Sequence, residues 1–199
     1  MVITHLGKQF FKITQGDLTI GINPSGKDRF GADLAFVSLN HPDYNAVDNL
    51  SHGDRAPFVI VSAGDYEVKD IIIKAVQSET EIKGKKYINS IYSFELDGIK
   101  ICFLGALSNA NLSADTKEAL GTPDLLFTPI GGGEMLGARD AYKLAVSLEA
   151  KIIIPMDYTP ETLKVFLKEA GAEKVAPVDK LALKRKDLDG KEADVIVLE

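Results

Sequence analysis

The chain has 199 residues, 45% of them hydrophobic, and a formal net charge of −6 at pH 7. That is the length of one ordinary domain with enough apolar mass for a full core, so stability requires neither disulfides nor a structural metal. The acidic balance argues against nucleic acid as the main partner, the single cysteine, Cys102, excludes an internal disulfide, and no apolar run is long enough to span a bilayer.

Val2 to Leu6, Phe10 to Thr14 and Leu18 to Ile22 read as short strands. The turn Gln15-Gly16-Asp17 joins the last two, and Asn23-Pro24-Ser25-Gly26 stops the third. Leu34 to Ser38 is an apolar run of the kind buried on both faces, and the loop after it carries His41 and Asp43. Asn45 to Leu50 is expected as a short helical turn and Phe58 to Ser62 as a further buried strand. Gly64-Asp65-Tyr66 reads as a turn, Glu67 to Val76 and Tyr87 to Leu96 as strands, and the polar stretch Ser78 to Lys86 as their connection. Asp97-Gly98 is a hairpin signal, with Lys100 to Leu104 as the returning strand.

The rhythm changes in the second half. Ser113 is placed to cap a helix carrying Thr116, Lys117 and Leu120. Leu125 to Pro129 is a buried strand, and Gly131-Gly132-Gly133 a tight strand-to-helix turn. Ala141, Leu144, Ala145 and Leu148 fall on one face of a helix over Ala138 to Leu148. Lys151 to Pro155 is a strand, and Thr159-Pro160-Glu161 opens a helix with proline in its first turn. Leu181 to Lys186 and Ala193 to Leu198 are expected to close the chain as a hairpin around Asp189-Gly190. No low-complexity linker divides the chain, so residues 1–199 read as a single domain, a two-layer β core with helices outside.

Several stretches, in this order and spacing, resemble the metallo-β-lactamase fold superfamily. They are Thr4-His5-Leu6-Gly7, Ala32 to Asn45, Gly64 to Val68, Ile91 to Ser108, Pro123 to Gly133 and Ile152 to Tyr158. The likeness extends to the small prokaryotic branch of metal-dependent hydrolases that includes the ascorbate-phosphate lactonase type. It implies an α/β (α+β) fold, a four-layer αββα sandwich with the active site at one edge of two sheets.

The resemblance also shows which ligands are missing. The family's first metal loop reads Thr-His-x-His-x-Asp-His, and the matching residues run from Ser38 to Tyr44. The first histidine is replaced by Leu39 and the third by Tyr44, while His41 and Asp43 remain. The histidine expected soon after Val76 is absent from Gln77 to Ile82. The bridging aspartate of Leu-Gly-Asp is Ala106, the last histidine of Pro-Met-His-Tyr is Asp157, and an Asp-Pro is Asn23-Pro24. A histidine after the early Leu-Gly is Lys8.

Such a site hydrolyses by lowering the pKa of a metal-bound water to about 7. Zinc takes at least three protein ligands, usually with imidazole among them. In the family, His41 would belong to one metal, and Asp43 and the position of Asp157 to the other, so neither half keeps three ligands. Two carboxylates left in one pocket need a cation. Either the Lys8 ammonium supplies it, pairing with Asp43 or Asp157, or Lys8 is an exposed residue of the first turn.

Other motifs carry less. His5 reads as a satisfied structural histidine, His52 as a surface loop residue and Cys102 as a buried structural thiol. Lys83–Lys86 and Lys184–Lys186 read as solvated turns or strand edges. A triad of Ser38, His41 and Asp157 lacks a nucleophile elbow, and the Gly131 loop lacks the Lys-Ser/Thr of a phosphate cradle. Glu134 and Asn109 are the neighbours placed to act as substitute ligands.

Two functional readings follow. The first is a pseudoenzyme that has lost its metal centre and hydrolase activity. It keeps a vestigial pocket of His41, Asp43, Tyr44, Ala106, Asp157 and Lys8, and has no cofactor. It serves as a binding or assembly module through self-association, a protein partner or a small-molecule ligand. The alternative is a metal-dependent hydrolase of a phosphoester or lactone-like substrate, with one weakly bound divalent ion such as Mg or Mn at His41, Asp43 and Asp157. Neither nucleic acid nor a membrane is expected as a partner, and without a leader pattern the expected location is cytoplasmic.

Overall fold

A computed structural model describes residues 1–199. In chain order the elements are β1 (Val2–His5), β2 (Phe11–Gln15), β3 (Leu18–Ile22), β4 (Leu34–Phe36), β5 (Phe58–Ile60), β6 (Gly64–Val68), β7 (Ile71–Ile82), β8 (Lys85–Leu96) and β9 (Ile99–Phe103). Then come α1 (Ala114–Leu120), β10 (Leu125–Pro129), α2 (Ala138–Ser147), β11 (Ile152–Met156), α3 (Pro160–Glu169), β12 (Lys180–Ala182) and β13 (Asp194–Val195). One sheet has the order β12-β1-β2-β3-β4-β5 and the other β13-β11-β10-β9-β8-β7-β6.

Alternation along the strands builds the interior. Ile3, Phe11, Ile13, Ile20, Ile22, Leu34 and Phe36 of the first sheet bury against Ile73, Tyr92, Phe94, Ile101, Phe103, Phe127 and Ile154 of the second. Phe11 meets Phe103 and Phe127 edge-on across the interface. The opposite face of the second sheet, with Cys102, Leu104, Leu126 and Ile153, is covered by the apolar faces of the helices, including Ala141, Leu144, Ala145 and Phe166. The helices start where their caps dictate: the Ser113 side chain accepts from Thr116 N, and Thr159 and Thr162 form a capping box with Pro160 in the first turn.

This is the α+β sandwich of two mixed sheets that the sequence implies. The outer layer of the first sheet, however, is a 3-10 turn at Val47–Leu50 with flanking loops, not an α-helix. Leu50 closes over Gly21 so tightly that a Cβ there would lie 2.6 Å from Leu50 Cδ1.

Three sequence expectations are corrected. The turn expected at Gly64 is strand β6, and the real turn is Lys69-Asp70, both residues at positive φ. Strand β7 then runs through the polar stretch to Ile82, because Gln77 to Ile82 pair residue by residue with Lys85 to Ser90. The closing segments form no hairpin: β12 pairs antiparallel with β1, while β13 lies parallel to β11 in the other sheet. Within the first sheet β4 runs parallel to both β3 and β5. No helix is long and apolar enough to cross a membrane.

Candidate functional site

Several chain reversals meet at one edge of the sandwich. They are the β1–β2 turn with Lys8 and Gln9, the loop after β4 with Leu39 to Tyr44, and the ends of the parallel strands β9, β10 and β11. The turn and the loop after β11 are joined directly, Asp157 N donating to Lys8 O at 3.0 Å. A bridge between Leu39 and Asn89 ties the first sheet's loop to β8.

Lys8 is exposed in the first turn, as one of the two readings had it, and it is also paired, as the other had it. Its Nζ lies 3.0 Å from Asp43 Oδ2. This hydrogen bond, aided by the charges of His41 and Lys83, holds the Asp43 carboxyl below the usual carboxylate range. Both side chains are about half exposed, so the pair adds little to stability. Asp157 is held differently. Its Oδ2 accepts from Gln9 Nε2 at 2.9 Å and from Tyr44 Oη at 3.4 Å. Burial raises the pKa of the Tyr44 phenol, and the charges of Asp157, Asp43 and Glu134 raise it further.

Beneath these groups lies a neutral polar floor. Gln9, Asn23, Ser38 and Asn89 are all buried. Asn23 Nδ2 donates to Gln9 Oε1 and to Ser38 Oγ, and Asn23 Oδ1 accepts from Ser38 N. Asn89 Nδ2 donates to Ser78 Oγ and Leu104 O, and its Oδ1 accepts from Ala106 N. Amides and hydroxyls satisfy one another here without any ion. Beside them Leu39, Tyr44, Ile82 and Ala106 pack as one apolar cluster with Tyr87 and Met135 against it.

The residues of this site do not fit the metal pair that the family implies. Leu39 and Ala106 contribute packed carbon where two ligands are expected. Nowhere in the chain do three or more His, Cys, Asp or Glu side chains come together in a group able to hold a metal ion. His41, Asp43 and Asp157, named together in the alternative reading, are separately engaged. Asp43 pairs with Lys8, Asp157 takes Gln9 and Tyr44, and His41 Nδ1 accepts from Asp43 N at 3.2 Å.

Two cavities flank Asp157. One, of about 280 Å³, is lined by Tyr44, Gly131, Gly132, Glu134, Met135 and Tyr158 among others. The second, of about 320 Å³, has His5, Gly7, Lys8 and Glu199 in its wall. A larger groove of about 700 Å³ runs beside α1 on strands β7 and β8, away from all of these groups, and holds none of the site residues.

The remaining candidates fall into place. Ser38 Oγ accepts from Asn23 Nδ2 and makes no hydrogen bond to His41, so the two form no triad. Both ring nitrogens of His5 face carbonyl oxygens, of Leu198 and Lys8, and the ring stacks on Phe11. His52 sits in an exposed turn with Arg55. Burial pushes the Cys102 thiol up to about 12, leaving it inert. Glu134 lines the smaller cavity, with Oε1 accepting from Lys83 N at 2.6 Å, whereas Asn109 only accepts from Asn111 N in its own turn. Sequence reasoning missed Gln9 and Asn89. Their one signal was their position within or beside apolar strands.

Residues 2–157 match the beta-lactamase superfamily domain. A metal-dependent hydrolase of Korarchaeum cryptofilum (strain OPF8) is 27% identical over 176 residues, covering 71% of this chain and 75% of that protein. Among solved structures, a proposed Zn-dependent hydrolase of the metallo-beta-lactamase superfamily from Thermotoga maritima is 31% identical. It superposes with a TM-score of 0.82 over 100% of this chain and 98% of that one. An isothiocyanate hydrolase from Delia radicum gut bacteria shares the fold at TM-score 0.71 and 13% identity, covering 92% of this chain and 100% of that one.

Proposed function

The chain belongs to the metallo-β-lactamase superfamily, and from that premise we propose that it is a member whose pocket binds a ligand without a metal centre. The observation that carries this reading is the Lys8–Asp43 ion pair at 3.0 Å, beside the packed Leu39 and Ala106. In the relatives' chemistry a divalent ion neutralises the carboxylates and activates water. Here a tethered ammonium neutralises Asp43, and neutral donors from Gln9 and Tyr44 hold Asp157. An ammonium has no Lewis acidity with which to make hydroxide from water, so the same fold is left with recognition. The test is elemental analysis of the purified protein together with its melting temperature. Neither EDTA nor added Zn²⁺ or Mn²⁺ is expected to shift the melting temperature, because no ion is linked to the folded state. A stoichiometric metal that disappears in His41→Ala would overturn this reading.

A second reading is favoured by the comparisons: relatives covering 71% and 100% of the chain carry the names of a metal-dependent and a Zn-dependent hydrolase. Under it, His41, Asp43 and Asp157 would hold one divalent ion once Asp43 is released from Lys8, and the ion would supply activated water for hydrolysis of a phosphoester or lactone. Metal-dependent hydrolysis lost in both His41→Ala and Asp157→Asn is the result that selects it.

A further inference from the structure

We infer that the cavity bounded by Tyr44, Tyr158, Asp157 and Glu134 binds a small organic cation, a primary ammonium group on a short apolar stem. The inference rests on the metal-free reading of the site and adds the class of ligand. Its starting point is an imbalance of charge. Of the carboxylates at this edge, Asp43 has an ammonium beside it, but Asp157 and Glu134 form no ion pair with any lysine, arginine or histidine. Asp157 receives two uncharged donors, both on Oδ2, which leaves Oδ1 without a hydrogen bond.

The carboxylate is also held in place beforehand. Asp157 adopts φ +53°, its amide is bound to Lys8 O, and its own carbonyl presses against Gly131. A charge fixed in this way costs little further ordering when a ligand arrives. The adjoining Asp43 shows how this edge of the sandwich handles such a group, since the chain's own lysine provides an ammonium for it at 3.0 Å. The same chemistry, supplied from solution, fits Asp157.

The walls suit an organic ion better than a bare one. Tyr44 and Tyr158 line the cavity, and Tyr158 is pinned by its hydroxyl to Leu198 O. Aromatic rings attract ammonium groups, and Met135 offers apolar contact to a stem. Two carboxylates without an imidazole are a poor set for zinc. An anion would meet Glu134 and Asp157. The positive end of α3 begins at the same rim, with Glu161 in its first turn, so the cation's place is on the Asp157–Glu134 side. At about 280 Å³ the cavity is at the small end for ligand sites, which limits the guest to a few heavy atoms.

The test uses the full-length protein, ¹⁵N-labelled, titrated with n-butylammonium, n-butanol and butyrate while the backbone amides are followed by NMR. Saturable shifts at Gly131, Gly132 and Met135 are expected with n-butylammonium alone. Asp157→Asn and Glu134→Gln should each weaken binding by about tenfold, the loss of one charge-assisted contact. Glu134 is exposed, so Glu134→Gln keeps the test valid if Asp157→Asn does not fold. Equal shifts with n-butanol, or undiminished binding in both variants, would overturn the inference. Parallel titration with Mn²⁺ and Zn²⁺ separates the two levels. A stoichiometric metal at these amides removes the metal-free reading and this inference with it. A protein that binds neither metal nor n-butylammonium loses the ligand assignment alone.

Discussion

At the scale of single residues the site turns on which groups can donate. Asn23 is buried, sits at φ +48°, and uses one amide nitrogen to hold both Gln9 Oε1 and Ser38 Oγ. Aspartate tolerates the same left-handed backbone, so Asn23→Asp changes the chemistry with little change of shape. A carboxylate has no N–H to give. The two acceptors it faces would lose their donor, and the new oxygen would point at Gln9 Oε1 in a region without counter-charge. The expected cost is roughly 2–5 kcal/mol, the range for an unsatisfied or unpaired buried polar group. Urea denaturation at neutral pH measures it, as a lower midpoint with an unchanged slope. A variant as stable as the parent would mean that the floor is not the closed neutral network described above.

At the scale of elements, the sequence was most readable where one residue decides a local geometry. Ser113 announces α1 by capping, Pro160 announces α3 by standing in its first turn, and Asp97-Gly98 announces the β8–β9 hairpin. It was least readable where pairing overrides composition. Ser78 to Ile82 looks like a loop because it is polar, yet it is strand because β8 hydrogen-bonds to it throughout. The same limit applied at the site. The Lys8–Asp43 pair stood among the open alternatives, because the family resemblance puts both charges in one loop cluster. The Gln9–Asn23–Ser38 floor could not, because its burial depends on which strands become neighbours. The loop after β10 shows a further constraint, visible only in three dimensions. A Cβ on Gly131 would collide with the Asp157 carbonyl oxygen, which is backbone and cannot swing aside. Gly131→Ala should therefore cost about 1–3 kcal/mol through forced displacement of the Asp157 loop. Gly137→Ala is the control, since nothing lies within 4 Å of its Cβ position, and it should cost under about 1 kcal/mol. Chemical denaturation of the pair separates the two sites, and equal losses would show that the Gly131–Asp157 approach is not a constraint.

At the scale of the whole molecule, two carboxylates tie the sheets to each other and set the response to acid. Asp33, just before β4 in the first sheet, accepts from Thr19 N and pairs with Arg55 at 2.5 Å and with Lys69, in the β6–β7 turn of the second sheet, at 3.4 Å. Asp124, entering β10, pairs with Lys151 and with Arg185, which follows β12 of the first sheet. Burial alone would push Asp124 up, but Lys151, the Lys100 backbone N–H and Arg185 outweigh it and hold the carboxyl below the usual range. For Asp33 the Arg55 hydrogen bond leads, and the carboxyl is lowered from 3.8 to about 2. A group whose pKa is lower in the folded chain binds protons more readily when unfolded. Its contribution is therefore complete above about pH 4 and disappears as the pH falls towards about 2. With the Asp33 side chain only 11% exposed, the shift corresponds to about 2 kcal/mol at neutral pH. Asp33→Asn keeps the shape but removes the charge, so it should lower stability by that amount at pH 7 and by almost nothing at pH 2. The measurement is the urea midpoint of parent and variant at pH 7, 5, 3 and 2, with the two curves converging at the acid end. A gap that stays constant across the series would assign the loss to packing, because only the ionised form of Asp33 can hold Arg55 and Lys69 together.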